Sequence, residues 1–244
     1  MLSGSLAIHQ PNFSPWLGFF HKMASVETFM FFDHIVAPQG KSWVSRTRVQ
    51  ARGTERWLTV PLNQKTQRHG QIANLLIANP EFFLVGLTNR LQSYYGKAPY
   101  LSDVIQLFDV SSLHLDKIQA LNEQIIRQVA RKIDLKVEFK RSSDLVVDNP
   151  HLNRLAGNEL VLELCSLSGA KSYLSGNGCL DFIRPNSFQG RGIEFVFQNF
   201  NSSPYDQGHG SSFISGLSFL DCLAYTGWAG VSTRVQPSHR AIFL

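Results

Sequence analysis

Leu6-Ala7-Ile8 is a short apolar run that ends in His9 and Gln10; two prolines, Pro11 and Pro15, then bar helix before apolar residues resume at helical spacing from Trp16 to about Ser25. This pattern predicts strand, tight loop, helix. Thr28 to Asp33 reads as a second buried strand, with Asp33 and His34 at its carboxyl end. Gln39 to Gly53 is polar, glycine-punctuated and rich in arginine, as a surface loop would be. Trp57 to Leu62 reads as a strand ended by Pro61, and Ile72 to Ala78 as a further short one.

From Pro80 the period changes. Asn79 suits an N-cap before Pro80 at the first helical position, and Phe83, Leu84, Leu87, Leu91 and Tyr94 repeat at helical spacing. A further helix is expected to begin in Tyr100–Phe108, and the longest one over Leu115–Ile133. Val137 to Lys140 then reads as a strand leading into Arg141-Ser142-Ser143-Asp144. Asn153 to Leu167 reads as a helix closed by Gly169, and Ser172 to Ser175 as a strand opening onto Gly176-Asn177-Gly178. Ile193–Phe200 is the last expected strand and Phe213–Ala224 a terminal helix. Strand, helix, strand is a βαβ unit with a right-handed crossover. The predicted class is α/β: a mostly parallel, Rossmann-like sheet flanked by helices, in one domain over 1–231 with a helical segment at 79–134 and an unstructured tail at 232–244. The competing architecture is α+β, with the early strands forming a separate antiparallel piece.

Composition narrows this picture only a little. Hydrophobic residues at 43% and charged residues at 17% of 244 describe a folded domain, and 18 phenylalanines favour a thick core or an aromatic-lined cleft. No apolar run reaches the roughly 20 residues of a membrane span, and no leader pattern opens the chain, so cytoplasmic residence is expected. Cys165, Cys179 and Cys222 are odd in number and lack metal-type spacing, which predicts reduced thiols and no metal site. A net charge of +5 suits an anionic small ligand, and without a Lys/Arg run there is no dedicated nucleic-acid-binding signature.

The candidate chemistry lies at strand ends. In a parallel sheet His9 and Gln10, Asp33 and His34, Arg141 to Asp144, and Ser175 to Gly178 would line one edge and converge on a cleft; singly, each is ordinary loop chemistry. His9, with an ordinary pKa of about 6.5, is the candidate base, and Asp33 the second catalytic candidate. Gln10, Asn12 and Trp16 are ligand-binding candidates on the same loop. Arg46 and Arg48 stand on one side of an extended segment beside Trp43, a pairing suited to phosphate and a stacked ring. Ser175, Gly176 and Gly178 could surround an oxyanion, with Ser175 a nucleophile only if a histidine lies within reach. Tyr205 and His209 fall in a glycine-rich link read as a lid or a plain connector. Asp221, in an apolar helix, is expected to be exposed or paired, an arginine being one such partner.

His9-Gln10-Pro11-Asn12 followed by Pro15-Trp16-Leu17-Gly18, then Trp43 with Arg46 and Arg48, Tyr173-Leu174-Ser175-Gly176 with Gly178, and Leu217-Ser218-Phe219-Leu220-Asp221 resemble the WbqC-like family in order and spacing. Those bacterial proteins are encoded in O-antigen and other surface-polysaccharide clusters. The resemblance implies transfer of an amino acid, glycine in first place, to the amine of an amino sugar. Asn177 and Cys179 replace the proline and second glycine of the Pro-Gly-Gly usual there, and Ser45 and Thr47 replace the asparagines often found beside the arginines. A histidine at the tip of the first strand is also similar to nucleotidyltransferase-like folds, but Trp16-Leu17-Gly18-Phe19 lacks both histidines of their His-x-Gly-His signature. Three readings follow: a transferase taking glycine from an adenylate, a carrier-protein thioester or an aminoacyl-tRNA; a non-catalytic module that binds an amino sugar or sugar nucleotide; and a nucleotidyltransferase. The cofactor would be a nucleotide or the activated acyl donor itself.

Overall fold

A computed structural model describes residues 4–38, 40, 42–67, 69–109, 116–179, 181–210 and 212–237. Five parallel strands form the main sheet: β1 (Ser5–His9), β2 (Thr28–Phe31), β5 (Glu138–Arg141), β6 (Ser172–Ser175) and β7 (Glu194–Phe197), in the order β5-β2-β1-β6-β7. The α/β expectation holds, and the α+β alternative applies only to a separate antiparallel hairpin, β3 (Arg46–Ala51) with β4 (Thr54–Thr59).

Alternation along the strands divides the core in two. Ala7, Phe29 and Phe31 face α1 (Leu17–Ala24), α3 (Pro80–Tyr95), α5 (Ile118–Lys132) and α9 (Phe219–Val235), whereas Leu6, Ile8, Met30, Tyr173 and Phe195 face α7 (Gly157–Leu167) and α8 (Pro185–Gln189). Both faces are covered, which is why the strands read as continuous apolar runs. Gly169, at φ +67°, closes α7 as expected: its N–H donates to Ser166 O and that of Ala170 to Cys165 O.

Several boundaries differ from the sequence reading. The arginine-rich stretch read as a loop contains β3, because Thr47 and Val49 alternate inward against Leu58 while Arg46 and Arg48 face outward. Ile72 to Ala78 is not a strand. Ile72–Asn74 forms one tight turn, and Leu76 and Ile77 make only isolated bridges to Lys117 and Leu62. Between lie the short helices α2 (Gln64–Gln67), α4 (Leu101–Gln106) and α6 (Ser142–Asp148). The helix α5 begins at Ile118; Leu115, where it was expected to start, lies outside the described residues. The terminal helix starts at Phe219, not Phe213, since the Ser218 hydroxyl accepts from Leu220 N. It continues to Val235, kinking at Gly227 (φ +66°), so residues 232–235 of the expected tail are helical, while 238–244 lie outside the described residues.

Candidate functional site

The chain runs outward from β1 through β2 to β5, then returns to lay β6 against the other side of β1 and continues to β7. That reversal leaves a crevice outside the carboxyl ends of β1 and β6, where neighbouring connections depart to opposite faces. Two clefts meet there. One, of about 730 Å³, lies on the α7 side and is lined by Ile8, His9, Gln10, Lys22, Phe32, His34, Leu160, Tyr173, Cys179 and Phe182, among others. The other, of about 210 Å³, lies on the α1 side, between Trp16, Gly18, Phe19, Gln198 and Phe200. His9, Lys22, Gly176 and Gly178 line both.

The loop from β1 to α1 is held by backbone groups. Asn122 donates to Pro11 O (2.7 Å) and Val44 O (2.8 Å), Phe13 N to Trp43 O (2.9 Å), and the hydroxyls of Thr47 and Ser218 both donate to Ser14 O. Trp16 then caps α1 by position and folds its indole over Gly18, where any Cβ would collide with the ring. The Trp-Leu-Gly spacing is thus a steric requirement, and it leaves the indole edge-on to Phe200 at 5.3 Å as a wall of the smaller cleft.

His9 Nδ1 lies 3.0 Å from Gln10 O, an oxygen that can only accept, so the ring hydrogen sits on Nδ1 and Nε2 carries the lone pair. Burial and then the positive charge of Lys22 push its pKa down to about 3, so in the free protein His9 is neutral and not the near-neutral base the sequence suggested. His34 is arranged likewise. Ser142 Oγ gives its hydrogen to the Asp33 carboxylate (3.0 Å), which leaves His34 Nδ1, 2.7 Å away, as the donor to that oxygen. His34 Nε2 is buried with no hydrogen-bond partner among the described residues, and burial lowers its pKa although Asp33 opposes this. A histidine that ends a strand is visible in sequence, but its tautomer depends on Ser142, more than 100 residues away.

Sequence reasoning missed Lys22. It lies on the apolar helix α1, is 2% exposed, and donates from Nζ to Ile8 O at 3.2 Å. Among the described residues no carboxylate lies within ion-pair distance of it. Burial lowers its pKa to about 8, opposed by Cys179. The only signal was a lysine inside Leu17–Met23, a helical stretch otherwise read as core. Gln198 was missed too: its amide donates to Gly18 O (2.7 Å) and His21 Nδ1 (3.1 Å), tying the end of β7 to α1.

Other expected site residues are placed elsewhere. Asp33 is 1% exposed and lines neither cleft. Its carboxylate accepts from Ser142 Oγ, Ser143 N (2.9 Å) and Ser143 Oγ (2.7 Å), so it anchors the start of α6 and orients His34 through Ser142, which corrects its catalytic assignment. Ser175 is fully buried with its hydroxyl turned to Gly176 O and lines neither cleft, so it is not placed as a nucleophile there. Asn12 is buried inside the tied loop and lines neither cleft. Arg46 lies over the Trp57 ring at 4.0 Å, Arg48 pairs with Glu55 (3.0 Å) and donates to Gly216 O (3.1 Å), and Trp43 packs against Trp57 at 5.3 Å. This hairpin patch is not part of either cleft. Tyr205 donates to Asp221 (2.8 Å), which also accepts from Gln207 (2.9 Å), with Tyr95 and Gln50 as further partners; among the described residues Asp221 is thus paired with phenols and amides, and burial raises its pKa. Its network holds the 205–216 link, in which His209 lies away from both clefts.

The model of the WbqC-like protein family matches residues 10–233. This chain belongs to that family. It is also 23% identical over 227 residues to the uncharacterized protein Rv1507c of Mycobacterium tuberculosis, covering 91% of this chain and 94% of that one. No solved structure matches it. Among the described residues no helix is long and apolar enough to cross a membrane, and no cluster of three or more His, Cys, Asp or Glu could hold a metal.

Proposed function

We propose that this WbqC-like protein transfers a glycyl or similarly small acyl group to the amine of an amino sugar in the cytoplasmic stage of surface-polysaccharide assembly, with the reaction in the crevice between β1 and β6. The observation that carries this reading is the imidazole lone pair at His9 Nε2, on a residue that lines with His34 one cleft of about 730 Å³ with apolar walls. That volume falls within the usual range of small-molecule sites, and an imidazole acceptor suits a ligand that carries N–H and O–H donors. An amine attacking an activated carbonyl forms the new C–N bond as the donor's leaving group departs with its electron pair, and the amine proton passes to His9 Nε2. The donor is an adenylate, a carrier-protein thioester or an aminoacyl-tRNA.

A non-catalytic sugar-nucleotide-binding module is the second reading, favoured by one observation: His9 in the free protein is a weak base, its pKa being about 3. Incubating the protein with a nucleotide-linked amino sugar and each glycyl donor in turn, and following the sugar by mass spectrometry, decides between them. Transfer predicts a product heavier by one glycyl group, formed about 10²-fold more slowly by His9→Ala while sugar-nucleotide affinity changes little. Binding without product from every donor would leave the module reading standing.

A further inference from the structure

Lys22 is a buried cation at the point where the two clefts join, and within the described chain it has a carbonyl oxygen but no carboxylate. An ammonium withdrawn from water without a counter-charge is costly, and the cost disappears when an anion arrives. The surroundings indicate what kind of anion. On one side of Lys22 the smaller cleft is walled by Trp16 and Phe200, which suits a flat ring. On the other, His9 offers an acceptor to hydroxyl and amine groups, with His34 in the same lining. Gly176 faces Lys22 between them, and a Cβ there would stand 3.9 Å from Nζ, in the space an anion would use.

We propose that Lys22 anchors the diphosphate of a nucleotide-linked sugar, with the base against Trp16 and Phe200 and the sugar in the larger cleft beside His9 and His34. This rests on reading the crevice as the amino-sugar site and names the form in which that sugar is bound. The same anion offsets part of the His9 shift, because the field of Lys22 is, after burial, the second cause of its low pKa.

Binding must then be coupled to a proton. With Lys22 at about 8 in the free protein and higher beside phosphate, affinity is expected to fall by up to about tenfold per pH unit above that value, with proton uptake rising toward one per ligand. The other titratable groups facing Lys22 or the clefts are His9, His34 and Tyr173, with His21 next to it on α1, and the thiol of Cys179. The three histidines are shifted below 6.5 and Tyr173 well above 10, so none of these four titrates between pH 7.5 and 9.5. Cys179→Ser removes the thiol from the measurement.

Calorimetry of UDP, ADP, GDP and dTDP binding over pH 7.5–9.5, in buffers of different ionisation enthalpy, tests this on the unmodified protein. At least one should bind with proton uptake that rises with pH and survives Cys179→Ser, and Lys22→Gln should weaken it by about tenfold or more and flatten the pH dependence. Flat affinity without proton uptake, uptake lost with Cys179→Ser, or no diphosphate bound below about 1 mM would each overturn the proposal. Glycyl transfer together with pH-independent nucleotide binding would remove the anchor and leave the transfer reading; proton-coupled binding without any transfer product would do the reverse.

Discussion

Lys22 and Arg48 are both cations that donate to a backbone carbonyl, Ile8 O at 3.2 Å and Gly216 O at 3.1 Å, yet they stand in opposite situations. Arg48 is on the outward face of a two-stranded hairpin, partly in water, with Glu55 on the partner strand at 3.0 Å. Lys22 is out of water and, among the described residues, has no carboxylate. From sequence the arginines looked like the ligand site and the lysine like a helix residue of no account. A charge whose partner is built into the fold contributes to structure, whereas a buried charge without one is completed by something the fold does not contain.

Asp33 sharpens the contrast as an anion whose needs are met. Asp33→Ala would strip the acceptor from two serine hydroxyls and one backbone N–H at the start of α6, and should destabilise the protein by about 3 kcal/mol in denaturant titration. Ser142 would also be free to turn its hydrogen toward His34, so some loss of ligand affinity should accompany the loss of stability. An Asp33→Ala protein as stable as the parent would mean that the saturated network is not structural, and the distinction would fail at its strongest point.

Lys22→Met should do the opposite. Below pH 8 the folded protein carries a buried ammonium that the unfolded chain holds in water, and its pKa falls from 10.5 to about 8 on folding. Between those values the unfolded state binds the extra proton, so the parent gains stability as pH rises through the window. Methionine removes the penalty. The variant should therefore be more stable than the parent at pH 7 by up to about 3 kcal/mol, with the gap closing toward pH 10.5. Urea midpoints at several pH values would reveal it, and a destabilised variant at pH 7 would show that Lys22 is held by partners within the chain. A residue that costs stability in the free protein is what a binding site would retain.

The fold was legible because its signals are local. The apolar run Leu6–Ile8, the proline-broken loop, α1, and β6 opening onto Gly176 were all readable from pattern, and the parallel arrangement follows from helices between strands. The hairpin was hidden by arginines at alternate positions, which read as loop polarity although Thr47 and Val49 carry the inward face. The site was half legible for a related reason. Strand ends announce which residues reach the crevice, as His9, His34 and Gly176 do, but not whether a polar atom there is already satisfied. Asp33 and His34 are adjacent in sequence, yet Ser142 and Ser143 consume the carboxylate while Nε2 of the imidazole is buried without a partner among the described residues. Lys22 could not be found from pattern at all, since its significance lies in the absence of a carboxylate in three dimensions.

The smallest expected effect is the one that would most directly restore the sequence-based assignment. Arg48→Ala removes a half-exposed ion pair to Glu55, a hydrogen bond to Gly216 O and a distant contact with the Trp43 ring at 5.9 Å; such pairs are worth about 1 kcal/mol or less. Arg46→Ala removes a guanidinium lying 4.0 Å over Trp57, again worth about 1 kcal/mol at a half-exposed site. Neither arginine lines a cleft at the crevice, so affinity for a nucleoside diphosphate should change by less than about twofold in both variants, a difference of under about 0.5 kcal/mol. Salt separates the regions as well: the hairpin pair should be screened at high ionic strength, whereas a contact at Lys22, out of water, should be screened much less. A tenfold loss of affinity in Arg48→Ala would move the anion to the hairpin, where Trp43 and Trp57 offer exposed rings, and Lys22 would then be a buried charge without a ligand.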